Sequence, residues 1–394
     1  MITPGYNVTA TERVLPRMAL DFTTASLDSR VTITRALNTA TRVNSSGYIE
    51  IVNANLPRFD FSPTSIGTCN GLLIEESRAN ICTYSQDFFN PPWATVNASL
   101  TAASGISPDG TNNATNLTFS ATSGFMARAT AIPISGSTTY THSIYMRATS
   151  GTFKTKISRT NGATWVTATV SPELTLTTTW QRFDITYTSG VADTVSDFIV
   201  GAESKTPYTM PATGTIQIYG AQVEAGAFPT SYIPTVFTSL TRNADAVSMT
   251  GTNFSDWYSS SSAALAAVVI PNIATGTRPI WQLDDTTANE IIALRGNVAN
   301  PELYIVDGGT PQAQLDAGTI TAGTQYGLCA AFAANSCAVS QNGATPVTTA
   351  TATMPTVTQA RIGSDGSNFL NGAVRTLRYW PQRILNAETQ AFSK

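Results

Sequence analysis

At 394 residues the chain is too long for one ordinary core and has room for two or three domains. It is 42% hydrophobic but only 12% charged, about half the usual share, so a helical enzyme rich in Glu, Lys and Leu is not expected. The formal net charge of −3, with four lysines among 22 cationic residues, leaves no basic footprint for nucleic acid.

Polarity comes instead from Thr, Ser and Asn. Threonine suits the solvent face of a strand, because its branched Cβ fits the pleat while its hydroxyl stays wet. These features predict an all-β chain. The longest apolar run, AALAAVVI (263–270), is too short to cross a membrane and reads as a buried strand. MITPGYNVTATERV has no charged-then-apolar signal pattern, so assembly in a cytoplasm without export is expected. Cys69, Cys82, Cys329 and Cys337 lack CxxC spacing and a nearby histidine, and read as buried thiols.

Residues 1–92 hold most of the clustered charge. Short strands are expected at Arg30–Arg35 and Gly47–Val52, with a break at Asn-Leu-Pro-Arg-Phe. No hydrophobic stretch here is long enough for its own core, so this segment is expected to dock on a neighbouring domain or a larger assembly. Arg30, Arg35, Arg42 and Arg58, interleaved with Asp21, Asp28 and Asp60, read as paired charges in an assembly interface, with a solvated surface as the competing reading.

Residues 93–236 alternate at period two. In TYTHSIYMRA, Tyr140, His142, Ile144 and Met146 share one face and Thr141, Ser143, Tyr145 and Arg147 the other. FKTKIS, TWQRFDITYT and GTIQIYGAQVEAG repeat the pattern, and Pro108-Asp109-Gly110 and Asn161-Gly162 supply turns. An antiparallel sandwich of jelly-roll type follows. In GAQVEAGAFPTSYIPT the strand ends at Gly226 and Pro229 forces the chain out of the ladder. Tyr232 is expected to fold back over the open end of the sandwich, and Pro234 to set the exit, making a lid and linker.

Residues 237–394 form a second β-rich unit with hairpin turns at Asp307-Gly308-Gly309, Asn342-Gly343 and Asp365-Gly366. Asn386 is placed to N-cap a short helix, Ala387 to Phe392.

Several blocks resemble a known group. LDFTTASLDSRVTITRA, ATRVNSSGYIEIV, LPRFDF, GLLIEESRANICTYSQDF and PPW are similar to the N-terminal part of tailed-bacteriophage virion proteins described as head or tail fibres, spikes and minor structural proteins. In that group the chain continues into a carbohydrate-binding-module-like jelly roll ending in a motif similar to IYGAQVEAGAFPTSYIPT. The run GSNFLNGAVRTLRYWPQRILNAETQAF resembles the close of a concanavalin A-like (laminin G-like) domain. The resemblance implies tandem antiparallel β-sandwiches after a small attachment segment. It also implies a virion protein, displayed on the particle at head or tail and touching host glycans. Its partners would be other virion proteins and copies of itself, a trimer being the guess, although no heptad run supports a coiled-coil stalk.

Catalytic residues are not expected. His142 is the only histidine and lies on the inward face, which argues against Ser-His-Asp chemistry and multi-histidine metal sites. The Glu-x-Asp-x-Glu strand of concanavalin A-like glucanases is missing; adjacent pairs such as Asp284-Asp285 and Glu75-Glu76 would point to opposite faces of a strand. Sugar binding needs only exposed rings and hydrogen-bonding side chains, for which the candidates are Tyr145, Arg147, Trp165, Tyr187, Trp257 and Tyr258. Trp180, Trp281 and Trp380 read as packing anchors. Calcium is common in both fold families, but IVDGGT, WQLDDTT and GSDGSN have no diagnostic spacing and read as turns, so no cofactor is expected.

Overall fold

The computed structural model describes residues 15–128, 132–161, 169–201 and 212–394. Among the described residues the chain is all-β, with antiparallel pairing, short helical turns between strands and one helix near the C-terminus. It builds two sandwiches, but not in the chain order that the sequence suggests.

The strand Gly372–Trp380 lies in the middle of an eight-stranded sheet. On one side it pairs with Ser262–Pro271, followed by Tyr326–Ala333, Ser336–Gln341 and Val347–Thr349. On the other side its partners come from the N-terminal segment: Met18–Asp21 and Cys69–Ile74, the latter extended by Phe59–Phe61. The opposing seven-stranded sheet runs Thr32–Thr34, Ala246–Thr250, Gln359–Ile362, Arg278–Asp284, Ile291–Asn297, Asn300–Asp307, Thr310–Asp316. Met18, Leu20, Ile33, Phe59, Leu72 and Ile74 therefore bury themselves against Trp257, Trp281, Leu294 and Leu377 in one continuous core. The segment 1–92 is expected from sequence to dock on a neighbouring domain or a larger assembly; its described strands go further and become part of the C-terminal sandwich. Strands of three to six residues cannot hold a sheet alone, and here they complete both sheets of the C-terminal sandwich.

The middle sandwich is an insertion into that sandwich. Its entry strand Arg78–Asn80 pairs with its exit strand Leu240–Arg242. One five-stranded sheet runs Gln181–Thr188, Thr139–Ala148, Gly214–Ala225, Thr115–Phe119, Ala98–Thr101; the other runs Thr169–Val170, Ile157–Arg159, Ile199–Gly201, Phe125–Arg128, Trp93–Val96. Tyr140, Ile144 and Met146 face Leu117, Phe198 and Ile218 in its core, as the alternation predicts. His142 is fully buried among them.

A buried charge cluster fastens the junction. Glu75 accepts hydrogen bonds from Arg58 (2.7 Å), Arg242 (2.9 Å) and the Ser231 hydroxyl (2.7 Å). Asp245 pairs with Arg35 (2.8 Å) and with Arg58, and accepts the Glu75 N–H at 3.0 Å. Burial by itself would push the Glu75 carboxyl up, but Arg242, Arg58 and Ser231 hold it down at about 2. Arg35 and Arg58 are 1% exposed, so they belong to no subunit interface and the expected assembly contact is corrected at these positions. Arg30 and Arg42 instead pair locally with Asp28 and Glu50.

At the C-terminus the helix spans Asn386–Phe392, one residue earlier than expected. Leu385 caps it, its N–H donating to the Glu388 carboxylate at 2.7 Å. All four cysteines are buried thiols.

Candidate ligand-binding face

The outward face of the sheet containing Thr139–Ala148 and Gly214–Ala225 divides into a covered half and an open half. The cover is the segment between Pro229 and Pro234. Neither proline has an N–H to give to a ladder, and the donors around them go to side chains. Thr230 N–H donates to Glu224 (2.8 Å), Ser231 N–H to Glu75 (2.8 Å), Ile233 N–H to Gln222 (2.7 Å) and Thr235 N–H to Ser85 Oγ (2.8 Å). Gln222 and Glu224 alternate with the core residues Ala221 and Val223, so they stand on the outer face beneath the segment.

Tyr232 is 2% exposed and its hydroxyl meets Ser85 Oγ at 2.6 Å. Its ring lies 5.6 Å from Tyr219 and 6.3 Å from Tyr145, edge-on to the latter. Gly220, at φ +63°, makes room: a Cβ there would meet the Tyr232 and Tyr145 rings at 3.2 and 3.3 Å. The lid therefore covers the sheet's outer face and not the open end, which corrects the expected placement. It also explains why Thr141 and Ser143, read as solvent-facing, are fully buried.

The open half is set by register. Arg147 pairs with Gln217, Gln217 with Asn116, and Asn116 with Thr101. Trp180, just before the strand Gln181–Thr188, extends this row beyond Arg147. The Arg147 guanidinium stacks 4.8 Å from the centre of the Trp180 ring, and both groups are partly exposed. Arg147 Nε donates to Gln217 Oε1 at 2.7 Å, and Trp180 Nε1 donates to the Ile106 carbonyl at 2.9 Å. Gln217 Nε2 in turn donates to Ser104 O at 2.6 Å. The result is a corner of planar groups with restricted rotamers, a ring face and a cation. The Asn116 Oδ1 in the same row has no hydrogen-bond partner.

The other sequence candidates separate. Tyr145 lies beside the lid, partly buried, with Arg182 5.4 Å from its ring centre and the Tyr219 ring edge-on at 6.2 Å. Tyr187 is 6% exposed and belongs to the core. Its hydroxyl donates to Ser196 Oγ (2.9 Å) and lies 3.0 Å from His142 Nε2, while Arg159 stacks on its ring at 4.0 Å. Trp257 is 2% exposed and wedges against Phe254, Tyr379 and Trp281; the four serines after it suggested exposure, but the adjacent helical turn Thr252–Ser255 rotates its ring inward. Tyr258 is partly buried, stacked on Phe254 at 4.8 Å. Trp165 lies outside the described residues. Trp180, read as a packing anchor, is the residue sequence reasoning missed; its register with Arg147 carries the signal.

Among the described residues no cluster of His, Cys, Asp and Glu is arranged to hold a metal. The Asp-Gly loops use their carboxylates locally: Asp365 accepts from the N–H groups of Ser367 and Asn368 (2.8 and 2.7 Å), and Asp285 from Thr287 (2.8 Å).

No family profile matches the chain, and no curated protein is similar to it. Solved structures overlap it in part. A heptameric SAP-like pentraxin from Limulus polyphemus is 13% identical over 34% of this chain and 70% of that one, with a TM-score of 0.26. The CBM22-1–GH10 modules of xylanase 10B from Clostridium thermocellum are 13% identical, over 40% of this chain but 30% of that one, at 0.29. The CBM22-1–CBM22-2 tandem of Paenibacillus barcinonensis Xyn10C is 9% identical over 76% of this chain and 97% of that one, at 0.27.

Proposed function

We propose that this protein is a structural component of a phage particle, displayed on a head or tail appendage, whose middle sandwich binds host-surface glycans reversibly. Support for the virion half is the resemblance of the N-terminal blocks and of GAQVEAGAFPTSYIPT. The observation that carries the glycan half is the Trp180–Arg147 corner: a ring face for sugar C–H groups beside a guanidinium held by Gln217. Such a site is weak singly, and several copies on one particle would gain avidity.

No reaction is assigned to it. In the C-terminal sheet, Asp284 is held by Arg361 (3.0 Å), Gln282 (2.9 Å) and Gln359 (2.5 Å), and Glu302 by Arg295 (2.7 Å) and Gln314 (3.0 Å). Carboxylates committed in this way are structural in this reading.

The test is a glycan array with the full chain. Trp180→Ala and Arg147→Ala are each expected to weaken binding to the best neutral glycans at least tenfold, while thermal stability falls by less than about 1 kcal/mol for these partly exposed positions. A flat array would replace this reading with an architectural role, in which the sandwiches cement neighbours. New reducing ends released from host capsule or lipopolysaccharide would replace it with depolymerisation. Gold label against the chain landing away from intact particles would sink the virion half.

A further inference from the structure

Between the two sandwiches runs a groove of about 640 Å³, within the range of small-molecule sites. One wall is the entry strand Arg78–Asn80 with Glu76 and Ser77 before it. The other is the turn Pro133–Thr139, with Tyr140, Ala225 and Gly226 at its end. It exists only where the inserted sandwich meets the chain that carries it, and it is remote in sequence from the Trp180–Arg147 corner.

Arg78 is held rigidly. Its Nε donates to Glu76 Oε1 at 2.7 Å, its guanidinium stacks 5.0 Å from the Phe228 ring centre, and its side chain is 9% exposed. It presses so closely on Gly226 that a Cβ there would collide with the guanidinium. Its Nη1 nevertheless has no hydrogen-bond partner, although nearly every buried donor has one. Glu76 is already shared: Asn371 Nδ2 donates to its second oxygen at 3.0 Å. The groove is thus lined by a rigidly held guanidinium that has one unmet donor.

The rest of its lining is suited to a sugar. Ser77, Ser135, Thr138 and Thr139 offer hydroxyls, and Pro133 and Ile134 offer an apolar wall. The Tyr140 hydroxyl that supports this wall accepts from Ser135 N–H at 2.9 Å. We propose that this groove is a second binding site, selective for a carboxylate-bearing sugar such as a uronate, with Arg78 receiving the carboxylate and the flanking hydroxyls the ring oxygens.

The full chain is titrated calorimetrically with a hyaluronan hexasaccharide and with the same hexasaccharide bearing methyl-esterified carboxylates. The acid form is expected to bind at least tenfold more tightly than the ester, with affinity falling as salt rises. Ser135→Trp, at an exposed position whose indole would fill the groove, and Arg78→Gln should each weaken the acid form at least tenfold. If Arg78→Gln fails to fold, Ser135→Trp carries the test alone. Equal affinity for acid and ester, no binding of the acid form, or full binding by Ser135→Trp would each overturn the proposal.

Discussion

His142 shows how one residue senses its sandwich. Burial, reinforced by the charge of Arg159, pushes its pKa down to about 3 from the ordinary 6.5, so the folded protein keeps the ring neutral beside Tyr187 and Ser196. The unfolded chain takes up the proton near 6.5. This contribution to stability is therefore complete above that pH and is lost as pH falls from 6.5 toward 3, amounting to about 2 kcal/mol at pH 5. Asp60 acts in the opposite sense: burial raises it to about 6, so its contribution is complete at low pH and fades as pH rises from the ordinary carboxylate value through 6. Comparing the parent with His142→Gln cancels the Asp60 term. Between pH 7 and 5, urea titrations should show the parent losing about 2 kcal/mol more than the variant. Parallel pH profiles would refute the assignment.

At the scale of the element, the lid is held by specific partners as well as by burial. Two prolines free the segment from the sheet, and Gln222, Glu224, Glu75 and Ser85 take its backbone donors. The Tyr232 ring then closes the aromatic group over Gly220. Tyr232→Ala is expected to cost about 3–5 kcal/mol, and Tyr232→Phe, which loses only the hydroxyl bond to Ser85, about 1 kcal/mol. Denaturant unfolding measures both. Equal losses would mean that the hydroxyl and not the ring anchors the lid.

At the scale of the whole molecule, the chain is a sandwich interrupted by a sandwich. Four strands before residue 75 finish sheets whose other strands lie after residue 245. A fragment of residues 237–394 would leave Gly372–Trp380 and Ala246–Thr250 with unpaired edges and expose the apolar surface that Leu20, Phe22 and Leu72 cover. It should bind a hydrophobic dye and melt without a cooperative transition, whereas the full chain melts cooperatively. A soluble fragment with a sharp calorimetric peak would contradict this account.

Much of this architecture was legible in the chain itself. Period-two alternation over Thr139–Ala148 and Gly214–Ala225 marks strands and their inward side chains, because a pleated strand has only two faces. Asp307-Gly308-Gly309 marks its hairpin because the turn needs left-handed backbone at both glycines, φ +59° and +75°. Alternation does not say what covers the outer face, so Thr141 and Ser143 read as exposed until the lid is seen lying on them. Nor does it say which distant strands pair: a three-residue strand such as Thr32–Thr34 carries too few side chains to choose a partner. Local pattern determined the strands and turns. Only the closing of both sheets across the insertion decided that the N-terminal segment is core and that Arg58 and Glu75 are buried partners.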